Sequence, residues 1–464
     1  MSAVATARAP AAAADEIVRE AIDSYHEILT DDVAADSQTV LDAQIRRRDL
    51  YFGDRPLCTV LRPRFMSPAQ YRILQQRGAA LLGAFATAHQ AAVADRSVRA
   101  QFRLTGWEEA LVLENPGFPW PSPVSRLDAF FAGEDGLRFT EYNAETPAGP
   151  SFNDVLTEVF YALPAVRAFV RRWDVRPLPA RHNILHALLT AYEAWSGTRE
   201  IPRVAVLDWL DVPTRREFTL FQEYAARQGV PCIVADPRSA ELRAGTLTLD
   251  GTPVDLIYKR VLINELIERC GVEHAVVRAV RERAVCMVNP FACKILHKKA
   301  SLAVLSDERN AGLFPPQQRQ VIAANVPWTR VVEERRTTFG GDTIDLIPFV
   351  AEHKDQLVLK PNDEYGGKGI VLGWEVDDAA WTEALHGALR EAYIVQERVA
   401  LPSEPYPSLV DGRLLVADRM LDTAPYAVYG QFIDGCLTRL STAALLNVTA
   451  GGGSSVPTWL VEKR

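Results

Sequence analysis

The chain has 464 residues, of which 48% are hydrophobic and 24% charged, and its formal net charge is −8. This composition is typical of a globular protein with a large core, and the length predicts roughly two or three folding units. The acidic balance argues against a general nucleic-acid or anionic-membrane binder, because such partners require a basic surface. The apolar stretches are broken by charges before they reach the ~18 residues of a membrane span, so we expect no membrane helix.

The first residues and the cysteines indicate the cellular setting. Residues 1–14 are rich in alanine but lack a basic segment followed by an apolar core, so we interpret them as a flexible tail and not as a signal peptide. The six cysteines show no C-x-x-C or C-x-x-H spacing, which argues against a zinc site or a disulfide framework. We therefore expect reduced thiols and a cytoplasmic protein.

The first part of the chain is predicted to be mainly helical. Apolar residues recur at helical spacing over residues 15–29 and 68–95, which predicts two amphipathic helices. The second begins favourably, because Ser67 is suited to cap it and Pro68 to occupy its first position. Five of the nine residues 115–123 are proline or glycine, which predicts a loop.

From residue 203 strands and helices alternate, and they do so again beyond residue 289. The first stretch is predicted to contain strands 204–210 and 231–236, helix 214–227 and a hairpin over 247–261 that turns at Asp250 and Gly251. The second is predicted to contain helices 344–353 and 377–390 and strands 356–360, 369–374 and 392–399. We therefore divide the chain into the tail, an N-terminal region 15–200, a small α/β unit 201–290 and a C-terminal part 291–464.

A glycine-rich segment follows the predicted strand that ends at Lys360. Gly366, Gly367 and Gly369 lie between this strand and the next, and glycines let backbone N–H groups approach phosphate oxygens while a lysine neutralises their charge. A strand follows these glycines where a dinucleotide fingerprint has a helix, and the P-loop pattern is absent. The segment predicts either a phosphate-binding flap or a plain glycine-rich hairpin.

Two further segments fit a nucleotide. Gln396 and Glu397 end an apolar strand, where acceptor groups suit the exocyclic amine of adenine, although ordinary strand ends also carry such residues. Lys298 and Lys299 open a predicted helix, and lysines there either bind a phosphate as point charges or belong to a solvated face.

The most informative segment runs from residue 125 to residue 149. Arg126 and Asp128 are two apart on one predicted strand, and Glu141 and Asn143 are two apart on the next. Because side chains alternate between the faces of a strand, the four groups gather on one surface. Their oxygens suit Mg²⁺ that bridges nucleotide phosphates, and an arginine beside them stabilises charge during phosphoryl transfer. The alternative is a half-exposed hairpin with incidental charges.

Taken in order, Lys299, Lys360 with its glycines, and Gln396 with Glu397 resemble the nucleotide half of an ATP-grasp ligase. The Arg-x-Asp and Glu-x-Asn pairs precede them, an order similar to that of circularly permuted ATP-grasp proteins. The sequence EYNAETP, which begins at Glu141, is similar to the metal motif of glutathionylspermidine synthase-like members. The resemblance implies an α/β (α+β) architecture, namely a circularly permuted ATP-grasp fold with a small Rossmann-like pre-ATP-grasp domain.

The same resemblance implies a role for each site residue. Arg126 would steady the transferring phosphoryl group as the catalytic arginine. Mg²⁺ would be held by Asp128, Glu141 and Asn143, and ATP would be bound by Lys299, Lys360, Gly366, Gly367, Gly369, Gln396 and Glu397. The segment RLSTAALLNVTAGGGSS, with Arg439, Asn447 and glycines 451–453, has no counterpart, and we interpret it as either a substrate or phosphate loop or a structural turn.

The implied activity is ATP- and Mg²⁺-dependent ligation of a carboxylate to an amine through an acylphosphate. An amino acid, a peptide or a polyamine would be the small-molecule substrate, with no nucleic acid or membrane as partner, and the sequence leaves a homo-oligomer open. The alternatives are a small-molecule kinase, a ligase that uses a carrier-bound acyl donor, and a non-catalytic nucleotide-binding module that acts with a partner protein.

Overall fold

The computed structural model describes residues 8–364, 366–442 and 453–464. Its helices, in chain order, are α1 (Arg8–Ile28), α2 (Asp31–Arg48), α3 (Pro68–Ala94), α4 (Arg96–Ala100), α5 (Gly106–Leu111), α6 (Pro150–Ala162), α7 (Pro164–Phe169), α8 (Arg181–Ser196), α9 (Arg215–Arg227), α10 (Ile263–Cys270), α11 (Ala275–Arg281), α12 (Cys293–His297), α13 (Ala300–Ser306), α14 (Pro316–Asn325), α15 (Leu346–Glu352) and α16 (Asp378–Arg390).

The strands of the same residues, in chain order, are β1 (Tyr51–Phe52), β2 (Arg55–Pro56), β3 (Arg64–Met66), β4 (Val124–Phe131), β5 (Leu137–Asn143), β6 (Trp173–Pro177), β7 (Val204–Leu207), β8 (Cys232–Ala235), β9 (Ala240–Arg243), β10 (Thr246–Leu249), β11 (Thr252–Pro253), β12 (Leu256–Lys259), β13 (Cys286–Val288), β14 (Thr329–Val331), β15 (Arg336–Phe339), β16 (Asp342–Asp345), β17 (Leu357–Pro361), β18 (Val371–Leu372), β19 (Tyr393–Glu397), β20 (Ser403–Val410), β21 (Arg413–Leu421), β22 (Ala424–Val428), β23 (Phe432–Ser441) and β24 (Ser454–Lys463).

The two predicted N-terminal helices are present. α1 begins at Arg8, seven residues before the predicted start. α3 begins where the sequence predicts, because Ser67 and Gln70 form a capping box and Pro68 occupies the first turn. Phe85 of α3 packs on Tyr142 of β5, with their ring centroids 4.4 Å apart, so this helix supports the hairpin that carries the predicted metal site.

A nine-stranded sheet contains the β4–β5 hairpin. Its path is β20-β21-β23-β22-β4-β5, and β24 extends it by pairing with β23, β3 and β6. The β4–β5 hairpin therefore lies at one end of this path, and β5 is a sheet edge. Elements from both halves of the chain meet here, because β4 pairs with β22 of the C-terminal part.

The predicted α/β alternation after residue 203 is observed. Strands β7, β8, β12 and β13 form a parallel sheet in the order β13-β12-β7-β8, and α9 matches the predicted helix. The hairpin prediction was wrong in its second half. Asp250 and Gly251 turn the chain with positive φ angles of 49° and 74°, but only Thr252 and Pro253 return onto β10. β12 instead joins β7 and β13, because a short apolar strand is stabilised by burial between two parallel neighbours.

A second four-stranded sheet, β14-β19-β17-β18, carries the predicted nucleotide strands. β17, α16 and β19 match the predictions closely. The strand predicted over 369–374 is restricted to Val371 and Leu372, because Gly373 approaches the Lys354 carbonyl so closely that an added Cβ would lie 2.0 Å from it. The helix predicted from residue 344 begins at Leu346, since Ile344 pairs with Thr337 in the β15–β16 hairpin.

Two exclusions made from the sequence can be compared with the structure. All six cysteines are free, as their spacing predicts. Among the residues that the structure describes, no helix combines the length and the apolar character needed to cross a membrane.

Candidate functional site

The β4–β5 hairpin arranges the predicted metal and phosphoryl groups as two facing pairs. In the antiparallel register Arg126 lies opposite Asn143, and Asp128 lies opposite Glu141. Residues two apart on a strand share a face, and directly opposed residues share it too. The register therefore brings the four residues together, as their spacing predicts, while their roles stay predictions.

Asp128 is buried and is bound by two arginines. Arg126 donates from Nε to Oδ1 (2.7 Å) and from Nη2 to Oδ2 (3.0 Å), and Arg439 donates from Nη2 to Oδ2 (2.6 Å). Burial opposes the charged form of this carboxyl, but the two guanidinium charges outweigh burial and hold the pKa of Asp128 well below its usual range. The carboxylate is therefore ionised at neutral pH.

Glu141 contacts a lysine that comes from a distant part of the chain. Nζ of Lys299 lies 3.0 Å from Oε1 of Glu141 and donates to the backbone oxygen of Glu364 at 2.6 Å. Burial disfavours the Glu141 carboxylate, but the positive charge of Lys299 outweighs it and lowers the pKa of Glu141. The contact joins β5 to the start of α13 and to the segment that follows β17.

Lys360 lies on β17 between the hairpin and β19. Its Nζ donates to Oε1 of Gln396 (2.7 Å) and lies 3.4 Å from the backbone oxygen of Thr140. Burial lowers the pKa of Lys360 to about 8, and the nearby Glu141 carboxylate partly opposes this shift. An ammonium group with few solvent contacts is suited to bind an anion, because binding compensates its burial.

Gln396 is buried, and both ends of its amide are bonded. Oε1 accepts from Lys360, and Nε2 donates to the Thr329 hydroxyl at 3.0 Å. The side chain of Gln396 thus orients Lys360 in the structure. At the end of β19 the Glu397 N donates to the Trp328 carbonyl at 2.8 Å, so this N–H is already bonded, and the contact of Gln396 and Glu397 with adenine stays a prediction.

The three glycines of the flap adopt the conformation that glycine favours. Gly366, Gly367 and Gly369 have φ angles of 66°, 78° and 71°, and an added Cβ at Gly369 would lie 2.7 Å from Cγ of Pro361. The segment before them is fixed to the body of the protein, because Asn362 accepts from Ala300 N (2.8 Å) and donates to the Phe102 carbonyl (2.9 Å). Residue 365, between Glu364 and Gly366, is outside the described residues.

A cavity of about 380 Å³ lies where the nine-stranded sheet meets the β17–β19 strands. Five of the predicted site residues line it, namely Asp128, Glu141, Lys360, Gln396 and Glu397. Its apolar wall includes Val358, Ile370, Leu372, Trp374 and Met420. The other predicted site residues lie next to these five, in the chain or by contact, but do not line the cavity; they are Arg126, Asn143, Lys299 and the three flap glycines.

The structure adds two residues that the sequence did not assign to the site. Arg439 and Asp422 line the same cavity, and Asp422 accepts from the Arg439 backbone N (2.7 Å) and from its Nε (2.6 Å). Arg439 lies in the unassigned C-terminal segment, and Asp422 belongs to no motif. Only the ion pairs of Arg439, with Asp128 of β4 and with Asp422, reveal that both residues belong to the site. Asn447 and the glycines 451 and 452 of that segment lie outside the described residues.

The oxygen donors fit Mg²⁺. Asp128 and Glu141 are ionised carboxylates on adjacent strands, and Asn143, opposite Arg126, adds an amide oxygen to this set. Nδ2 of Asn143 is buried without a hydrogen-bond partner, and because it is a donor it suits a phosphate oxygen and not the cation. Mg²⁺ takes few protein carboxylates and completes its octahedron with phosphate oxygens and water. Within the described residues, no group of three or more His, Cys, Asp or Glu side chains could hold a metal by itself.

Comparison with solved structures identifies the fold. No protein-family model matches the chain. The structure of a glutathione synthetase-like effector from Globodera pallida, in its apo form, superposes with a TM-score of 0.60 over 94% of this chain and 99% of that chain, at 12% sequence identity. The mixed α/β chain therefore has the fold of a glutathione synthetase-like protein.

Two curated proteins are similar in sequence. "Putative glutamate–cysteine ligase 2-2" of Frankia casuarinae is 25% identical over 368 residues, and "Putative glutamate–cysteine ligase 2-3" of Frankia alni is 27% identical over 359 residues. Each match covers 73% of this chain but 38% of the relative, so the chain spans well under half the length of these proteins. The chain is thus similar in sequence to proteins named as glutamate–cysteine ligases and in fold to a glutathione synthetase-like protein, and these similarities do not extend to the glutathionylspermidine synthase-like assignment.

Proposed function

We propose that this chain is an ATP- and Mg²⁺-dependent ligase that joins a carboxylate to an amine through an acylphosphate. One observation carries the proposal. Two groups of residues far apart in the sequence meet at one cavity or directly beside it, namely the β4–β5 carboxylates and the lysines of the nucleotide segments. Lys299 contacts Glu141, and Lys360 lies beside Thr140. If the glycine-rich segment were a plain hairpin and the charges of the β4–β5 hairpin were incidental, nothing would favour their contact at the same site.

The charges at the cavity fit phosphoryl transfer. The γ-phosphate of ATP would move to an oxygen of the substrate carboxylate and release ADP, and an amine would then attack the acyl carbon and release phosphate. Lys299 and Lys360 would bind the phosphates, and Arg126 would steady the transferring group. Mg²⁺, held by Asp128, Glu141 and Asn143, would neutralise phosphate charge when bound.

The relatives support the ligase class. Two proteins named as glutamate–cysteine ligases align with most of this chain, and a glutathione synthetase-like protein shares its fold. An amide bond between amino-acid-type substrates is the chemistry common to these names. We propose accordingly that the acid and the amine are small molecules, such as an amino acid, a peptide or a polyamine, and that the chain is a circularly permuted ATP-grasp protein.

ADP and phosphate release with Mg-ATP tests the proposal across pairs of acids and amines. A ligase releases ADP together with phosphate only when an acid is present and turns over fully only when an amine joins it. A kinase would release ADP without an amine, and a non-catalytic module would bind ATP without turnover. Release that is independent of any acid would contradict the ligase mechanism.

Substitution at Glu141 provides the matched variant. Glu141→Gln removes the carboxylate charge while keeping the shape of the side chain, and we expect turnover to fall about 100-fold or more because the cation loses a ligand. Glu200→Gln removes an equal charge from an exposed position and should retain full turnover. A Glu141→Gln protein with wild-type turnover would remove Glu141 from the metal site.

A further inference from the structure

Both oxygens of Asp128 are occupied by arginine. Arg126 binds Oδ1 and Oδ2, and Arg439 binds Oδ2 at 2.6 Å. Oδ2 therefore carries two guanidinium N–H groups, and a cation that takes this oxygen as a ligand has to displace one of them. Glu141 differs, because its ion pair is with a lysine, Lys299, whose Nζ lies 3.0 Å from Oε1.

The two arginines are not equally easy to displace. Arg126 is two residues from Asp128 on the same strand, chelates it with two N–H groups and is anchored by a third bond from Nη1 to the Ala148 carbonyl (2.6 Å). Arg439 gives Asp128 one N–H and has a second carboxylate, Asp422, for its Nε and backbone N. Because Arg439 keeps a buried carboxylate after it leaves Asp128, its displacement costs less.

The balance of charge points in the same direction. The three carboxylates Asp128, Glu141 and Asp422 face four cations, which are Arg126, Arg439, Lys299 and Lys360. A divalent cation added to this surplus of positive charge is disfavoured unless a cation withdraws or a polyphosphate enters with it.

We propose that Arg439 is a positioning residue that occupies the place of the divalent cation on Asp128 and swings away, still tied to Asp422, when the cation arrives with its nucleotide. This inference rests on the proposed function, because it takes Asp128 as a cation ligand. It explains why an arginine and a predicted metal ligand form a 2.6 Å ion pair in the lining of the cavity. It also predicts that the free cation binds weakly compared with the cation–nucleotide complex.

Binding of Mn²⁺ in the absence of nucleotide tests the inference by electron paramagnetic resonance. Arg439→Gln removes one of the two guanidinium N–H groups on Oδ2 of Asp128 together with one positive charge, so we expect Mn²⁺ affinity to rise about tenfold or more. The matched control is Arg398→Gln, since Arg398 lines the same cavity but contacts the Trp374 ring and the Asp355 carbonyl. Its Mn²⁺ affinity should stay within about twofold of wild type.

Two results would overturn the inference. Mn²⁺ affinity in Arg439→Gln that equals or falls below that of wild type shows that the guanidinium does not compete for Asp128. An equal gain of Mn²⁺ affinity in Arg398→Gln shows that the gain comes from the loss of any positive charge near the cavity and not from the loss of the Arg439 contact with Asp128. Should Arg439→Gln fail to fold by circular dichroism, Arg439→Lys serves as the second variant. Its charge is retained but its reach to two carboxylates is lost, so an intermediate Mn²⁺ affinity supports the inference and a wild-type value refutes it.

Mn²⁺ binding and ligase turnover together distinguish a failure of this inference from a failure of the proposed function. Mn²⁺ binding is measured without ATP, acid or amine, so tighter Mn²⁺ binding by Arg439→Gln together with no turnover by the wild type on any substrate pair refutes the ligase proposal alone. Full ligase turnover with unchanged Mn²⁺ affinity refutes the role of Arg439 alone. Absence of Mn²⁺ binding in every variant overturns this inference, because removal of the guanidinium then exposes no cation site in the nucleotide-free protein.

Discussion

Glu145, which follows the β4–β5 hairpin, should contribute strongly to stability. Its side chain is fully buried, and Oε1 accepts from Nζ of Lys259 (3.1 Å) and from the backbone N of Ile263 (2.5 Å). Oε2 accepts from Nζ of Lys294 at 3.1 Å. Both lysine side chains are 1% exposed, so Glu145→Gln leaves buried ammonium charges with less compensation.

The expected loss follows from these contacts. Removal of one partner of a buried ion pair typically costs about 3–5 kcal/mol, because the other charge stays buried and unpaired. Lys294 keeps a second carboxylate, Asp363, at 2.8 Å, so we place Glu145→Gln near the lower end, at about 3 kcal/mol. The assay is urea unfolding at pH 7, followed by tryptophan fluorescence and circular dichroism.

A second glutamate provides the control. Glu158 pairs with Arg48 and Arg181, but its side chain is 47% exposed, so Glu158→Gln should cost at most about 1 kcal/mol. A loss below 1 kcal/mol in Glu145→Gln, or equal losses in the two variants, would refute the reasoning that burial makes the Glu145 pairs important.

The difference in the free energy of unfolding between wild type and Glu145→Gln should depend on pH with a definite sign. Burial disfavours ionised Glu145, but the charges of Lys259 and Lys294 outweigh it and hold its pKa well below the ordinary value of 4.5. A carboxyl with a lowered pKa in the folded state stabilises the protein above its ordinary pKa and loses that contribution as the pH falls. The gap between wild type and Glu145→Gln should therefore be constant from pH 7 to about pH 5 and shrink below pH 4.5.

Two predictions concern other parts of the site. Burial lowers the pKa of Lys360 to about 8, so its positive charge is lost between pH 7 and pH 9. Mg-ATP affinity, measured by calorimetry, should therefore weaken over this pH range in the wild type but much less in Lys360→Arg. Equal losses of affinity in the two proteins would contradict a role for the Lys360 charge. Gly149 has a φ of 102°, and an added Cβ would lie 2.7 Å from the Leu437 side chain. Gly149→Ala should therefore lower the free energy of unfolding by about 1–3 kcal/mol more than Gly197→Ala does. Gly197 is the control because it also has a positive φ but open space around it. Equal losses in the two variants would show that the crowding at Gly149 relaxes.

Local chemistry explains which elements the sequence predicts well. The start of α3 depends on Ser67, Pro68 and Gln70, which act within one turn. The Asp250–Gly251 turn likewise depends on residues that tolerate positive φ. Such signals lie within a few residues of each other, so no knowledge of the rest of the fold is needed.

Pairing between distant segments explains what the sequence could not predict. The alternation in β12 indicates a strand, but it does not reveal that the strand inserts between β7 and β13. Arg439 and Asp422 give no local signal either, because their place at the cavity depends on the pairing of β22 with β4. The carboxylate pair on β4 and β5 was predictable, since one hairpin contains both residues, whereas the arginine that binds it lies about 310 residues further along the chain.

The position of β24 has a consequence for how the protein is made. This strand pairs in parallel with β3 near residue 65 and antiparallel with β6 near residue 175, so an early and a late segment of the chain share one set of backbone hydrogen bonds. Contacts of such long sequence separation form slowly, and the partner edges of β3 and β6 stay unpaired until residues 458–463 have been synthesised. A ribosome-bound chain should therefore depend on chaperones that shield these edges, and substitutions in β24 should reduce the yield of folded protein more than its activity once folded.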